Sequence, residues 1–177
     1  MTKGHKFSRA AARTAQLLGI AAMGASLIAA HPGAHGTPQT PVASDLRAPA
    51  DTATPVGTVT AFHSALASGN TAAAQALLAE DALIFESGGV ESSRAEYASH
   101  HLQADAAFSA AVTRTLVSRT HGEQGDAAWV MSVETVTGTY RGRAINSRSV
   151  ETMLLRRVDS QWRIVHIHWS SASLPAD

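Results

Sequence analysis

The chain has 177 residues, 45% of them hydrophobic, which suits one cored domain and falls short of a membrane-protein composition. It contains no cysteine, so disulfides, thiolate metal sites and cysteine nucleophiles are excluded. The formal charge is zero, but from His31 onward 10 arginines stand against 14 acids, a balance that disfavours nucleic acid as a partner.

Lys3, Lys6, Arg9 and Arg13 form a positive start without an acid. A 14-residue apolar stretch from Leu17 to Ala30 follows and ends in small residues. That layout predicts a secretory signal over residues 1–30, cleaved near Ala30. A membrane anchor would need about 20 apolar residues, so the segment is expected to meet the membrane only during export. No twin-arginine pair precedes the apolar stretch, which points to the general secretory route and a periplasmic or secreted product. Residues 31–53 carry most of the prolines among Gly, Ala and Thr without apolar period, and read as a flexible tether.

A domain is expected over residues 54–173. Thr54-Pro55 is a hydroxyl N-cap followed by proline at the first helical position. Val56, Val59, Phe62 and Leu66 then make one apolar stripe, closed by Gly69. Asn70 caps a second, short helix over Thr71 to Ala79. Ala82 to Glu86 reads as a strand, broken by a turn at Ser87-Gly88-Gly89. Ser93 and Glu96 fit a capping box that opens a third helix running to about Ala110. Four strands follow, Val112–Thr120, Ala127–Tyr140, Arg143–Val158 and Gln161–Ser170, separated by turn signals. Helices first and a run of antiparallel strands after them predict an α+β fold, helices on one face of a sheet.

On the third helix, Tyr97, His101, Asp105 and Phe108 fall in one sector of the wheel, the one that should face the sheet. A buried carboxylate needs partners or a wet cavity. His101 and Asp105 therefore read either as a pair locking helix to sheet or, with Tyr97, as the floor of a pocket. His100 points away with Glu96 and is expected to be solvated. His166 and His168 alternate with Val165, Ile167 and Trp169, which puts both imidazoles on one strand face as half of a possible metal site or as a polar stripe. No zinc-protease, calcium-loop or phosphate-loop pattern occurs, so no cofactor is expected.

Phe85-Glu86, Glu91 with Glu96-Tyr97, Ser149-Val150-Glu151-Thr152 and the run from Trp162 to Ser171 carry a resemblance. From Val56 to Ser171 the chain resembles the nuclear transport factor 2-like superfamily, especially its SnoaL-like and calcium/calmodulin-dependent kinase II association-domain branches. The resemblance implies a cone: three helices over a strongly curved antiparallel sheet, a pocket between them, and a homodimer formed through the sheet. It implies that Tyr97, His101 and Asp105 face the pocket. Glu134, Met153 and Trp169 would replace the pocket arginines of the kinase association domain, leaving an acidic and aromatic lining. The expected function is capture of a small-molecule ligand by an exported domain. The alternative is an isomerase, dehydratase or cyclase needing no cofactor, with His101 or Asp105 as general base and Tyr97 donating to an oxyanion. Metal binding through His101, Asp105 and Glu134, or through His166 and His168, and a purely structural dimer also stay open.

Overall fold

A computed structural model describes residues 52–175. The signal segment expected at 1–30 and all but the end of the 31–53 tether lie outside the described residues. Among the described residues, no helix is long and apolar enough to cross a membrane.

Helix α1 spans Pro55–Ala67, and its N-cap is Thr54, whose hydroxyl accepts from the Gly57 amide at 3.1 Å. Its stripe is buried as the spacing demands, with Val59, Phe62 and Leu66 at most 2% exposed. Helix α2 covers Thr71–Leu77, shorter than its apolar pattern suggested. Leu78 is instead the first residue of strand β1, Leu78–Glu86, and is fully buried there. The Ser87-Gly88 turn, with φ of 51° and 81°, folds β1 back onto a short strand β2, Gly89–Glu91. The expected turn is present, and a short strand that the turn residues do not announce follows it.

The expected single third helix is two helices. Helix α3 spans Arg94–His100 and helix α4 Leu102–Ala111, with His101 between them at φ −117°, ψ −33°. Four long strands follow: β3 Val112–Gln124, β4 Ala127–Tyr140, β5 Arg143–Val158 and β6 Gln161–Ser173. They form an antiparallel meander, and β1 adds to the free side of β6, giving the order β2-β1-β6-β5-β4-β3.

The fold class is the expected α+β, but the sheet is mixed, because β1 runs parallel to β6. The α3–α4 crossover is compatible with this arrangement. The two helices carry the chain back along the sheet, and β2 and β3 point the same way. The meander makes β6 antiparallel to β3, and β1, antiparallel to β2, is then parallel to β6. Gly138 serves the same crossover. At φ 154° it lets the backbone pass where α4 turns into β3, and a Cβ there would stand 2.7 Å from the Ala111 carbonyl oxygen.

The core fills one half of the inner sheet face. Val130, Met153, Leu155, Trp162, Ile164 and Ile167 pack against Phe62 and Leu66 of α1, Leu78 and Tyr97.

Candidate functional site

Beyond that core the same face opens into a cavity of about 340 Å³ between α4, the end of α1 and the far halves of the strands. Its lining includes Glu86 of β1, Asp105 and Phe108 of α4, Arg114 of β3, Ser149 of β5 and Trp169 of β6. Strand alternation explains how β5 supplies this wall. Leu155, Met153, Glu151, Ser149 and Ser147 share one face at period two, and the series passes from apolar to charged to hydroxyl. Apolar members seal against the helices. Hydroxyl members do not, and a space remains.

Asp105 is the cleft's central polar group. Tyr97, fully buried, donates its hydroxyl to Asp105 Oδ2 at 2.7 Å, reaching across the α3–α4 break. Burial raises the Asp105 carboxyl above its ordinary value, against the Tyr97 hydrogen bond and the positive charges of His101 and Arg114, which pull it down. Burial and the negative charge of Asp105 push the Tyr97 hydroxyl far up, so it remains a donor at any ordinary pH. Glu86, at the open rim, is raised by burial and by Asp105. Arg114 donates through Nη1 to Glu134 Oε2 at 2.9 Å, which anchors the guanidinium in the wall.

Directly behind the cleft lies a second carboxylate of opposite character. Glu151 is 1% exposed; His63 Nε2 stands 2.8 Å from its Oε2, and Trp169 Nε1 donates to the same oxygen at 2.7 Å. Burial acts to raise Glu151, but the adjacent His63, the Trp169 N–H and the more distant charge of Arg114 outweigh it and hold the carboxyl below the ordinary range. Glu151 thus fixes the indole that lines the cleft.

The sequence-derived site residues separate on this geometry. Asp105 and Trp169 line the cavity, and Tyr97 joins it through Asp105. Glu134 lies behind Arg114 as its counter-charge. Met153 is fully buried in the core, so it supports the wall from below. His101 does not face the cleft. Its side chain is 56% exposed and its Nδ1 is in close contact with Glu91 Oε1, because the helix breaks at this residue and turns the ring toward β2. The expected His101–Asp105 contact is therefore replaced by Tyr97–Asp105. His100, expected to be solvated, is 58% exposed and also faces the other oxygen of Glu91 at 3.3 Å.

The expectation of a lining without arginine is also corrected by Arg114. Its signal was present: Arg114 shares a strand phase with Val112 and Leu116, so a cation interrupts an inward-facing apolar series. His166 and His168 do share a face, with the Phe85 ring packed against both at centroid distances of 4.8 and 6.4 Å.

Residues 57–175 match the SnoaL-like domain family. This chain belongs to that family. A candidate ketosteroid isomerase from Shewanella frigidimarina is 38% identical to this SnoaL-like protein, over 68% of this chain and 97% of the other, with a TM-score of 0.64. A candidate dehydratase of the NTF2-like family from Streptomyces avermitilis is 21% identical over 71% and 97% of the two chains, with a TM-score of 0.56. A candidate calcium/calmodulin-dependent protein kinase II association domain from Xanthomonas campestris is 22% identical over 68% and 85%, with a TM-score of 0.57. The last two likenesses establish the NTF2-like fold alone. Among curated proteins, none matches.

Proposed function

We propose that this SnoaL-like domain binds a small organic molecule in the cleft between α4 and the sheet. One observation carries the reading: a raised carboxyl, a guanidinium and an indole converge on a single cavity of about 340 Å³, the size and mixed polarity of a small-molecule site. A ligand with an apolar body and one oxygen function fits. Trp169 and Phe108 offer flat surface, Arg114 offers a donor, and Asp105 accepts or donates according to its proton. A thermal-shift screen of small molecules tests this, with wild type run beside Ser171→Trp, which narrows the cleft from the sheet side. Compounds that raise Tm in wild type and not in the variant support the reading; no such compound, or equal shifts in both proteins, contradicts it.

A second reading, proton transfer on the bound molecule, is favoured by Asp105 itself. Its Oδ2 is held by Tyr97 and its pKa is raised, which brings a carboxylate base closer to a carbon acid. Asp105 would take a proton from carbon beside a carbonyl and return it elsewhere, while Arg114 bears the developing oxyanion. Tyr97, sealed in the core, is here a positioning residue rather than an oxyanion donor. A β,γ-unsaturated ketone tests this by its conversion to the conjugated isomer, followed in the ultraviolet. Conversion that disappears in Asp105→Asn supports the step; equal conversion by both proteins contradicts it.

We also propose export, carried by the basic and apolar N-terminal layout, and pairing of two copies through the outer sheet face. That face exposes Leu83, Phe85, Trp129, Met131, Val150 and Leu154 at 36–46% each, more large apolar surface than a lone sheet usually leaves in water. The N-terminal mass of the protein recovered from outside the inner membrane tests the first. Light scattering of wild type against Met131→Lys tests the second.

A further inference from the structure

Away from the cleft, two consecutive histidines turn toward one carboxylate. Neighbouring residues in a continuous helix diverge by about 100° and do not meet a common partner. At the α3–α4 break they do. His100 closes α3 and His101, in the non-helical geometry of the break, caps the next helix. His100 Nδ1 lies 3.3 Å from Glu91 Oε2, and His101 Nδ1 contacts Glu91 Oε1. Glu91, the last residue of β2, is 6% exposed.

Glu96, one turn before His100, completes the group. One oxygen, Oε2, accepts from the Ser92 amide at 2.7 Å, which fixes the carboxylate over the start of α3. Ligand atoms of Glu91, Glu96 and His100 lie within 4.8 Å of one another. Two ligands on a tetrahedral zinc, each bonded at about 2.0–2.1 Å, stand roughly 3.3 Å apart, which is the His100–Glu91 separation already present. Neutral imidazole with carboxylate is the donor set of Zn²⁺ or a similar divalent transition ion, and it is not the all-oxygen set of calcium or magnesium.

We propose that Glu91, Glu96 and His100 bind a divalent transition-metal ion, while His101 holds the other oxygen of Glu91 and so orients that carboxylate. Such an ion would fasten the edge strand β2 to the α3–α4 break. The break lies between Tyr97 and Asp105, so the ion would also hold the span across which those two side chains meet. The proposal is independent of what occupies the cleft.

The test is calorimetric titration of Zn²⁺ into the full chain after chelator treatment, with Co²⁺ absorption as a second measurement. One ion per chain is expected, with the intense visible bands of four-coordinate cobalt. His100→Gln and Glu91→Gln should each weaken zinc more than about 100-fold, since second-shell partners of zinc ligands alone are worth about 10–100-fold. Both histidines are more than half exposed, so His100→Gln and His101→Gln should keep the wild-type circular dichroism, and those variants decide the matter if Glu91→Gln misfolds. Absence of stoichiometric zinc in wild type would overturn the proposal. So would unchanged affinity in the His100→Gln/His101→Gln double variant, or loss of zinc in His166→Gln/His168→Gln instead.

Discussion

The two ends of the inner sheet face are built from the same strands and behave as opposites. Near the β5–β6 turn, Leu155, Met153, Trp162 and Ile164 are sealed under the helices, each at most 2% exposed. Toward the other end the in-phase residues are Ser147, Ser149 and Ser171, and the helices stand off to leave the cleft. The two inner carboxylates follow the same division. Glu151 lies at the boundary with His63 and Trp169 against it and is held low; Asp105, with a neutral hydroxyl as its nearest partner, is pushed up. A single face thus carries a sealed end, whose carboxylate is buried against an imidazole and an indole, and an open end, whose carboxyl and guanidinium border a cavity.

The comparison breaks first at the sealed end. Trp162→Ala removes the largest fully buried side chain, with an expected loss of about 3–5 kcal/mol in chemical denaturation. A loss below about 1 kcal/mol would mean that this end is not the load-carrying one. Glu151→Ala should follow closely at about 3–5 kcal/mol, because it strands His63 and the Trp169 indole without their partner. The pH dependence carries a sign. Since the folded carboxyl lies below the ordinary 4.5, its stabilisation is complete above that value and is lost as pH falls through the folded pKa. The stability gap between wild type and Glu151→Gln should therefore shrink in acid.

Asp105→Asn should act in the opposite direction. Its raised pKa means that the ionised form costs stability, so the amide is expected to stabilise the domain at neutral pH while removing proton transfer. That advantage should shrink as pH falls through the raised pKa and be gone below the ordinary 3.8, where Asp105 is protonated folded or unfolded. Denaturation of both proteins across the acid range reads it directly. The smallest effect is expected for Ser171→Ala, exposed at the open end, within about 0.5 kcal/mol of wild type.

Much of this division can be read from the sequence, because it follows local rules. The Thr54 cap, the α1 stripe and the long strands depend on spacing and turn residues within a few positions of each other. The passage from Leu155 to Ser147 is likewise visible at period two. The α3–α4 break is not, since Ser99-His100-His101 contains neither glycine nor proline to mark a stop. A tertiary contact, Glu91 facing both imidazoles, accompanies it. One continuous helical wheel therefore put His101 on the cleft side, while Tyr97 and Asp105, on either side of the break, still met. The parallel β1–β6 pairing was hidden for a related reason, because it depends on where the crossover lands rather than on any residue in either strand.

The most direct test of the division is a ¹³C NMR titration of side-chain carboxyls, assigned with Asp105→Asn and Glu151→Gln. The account predicts a midpoint above the ordinary 3.8 for Asp105 and below the ordinary 4.5 for Glu151. Ordinary midpoints for both, or shifts in the reverse directions, would contradict it.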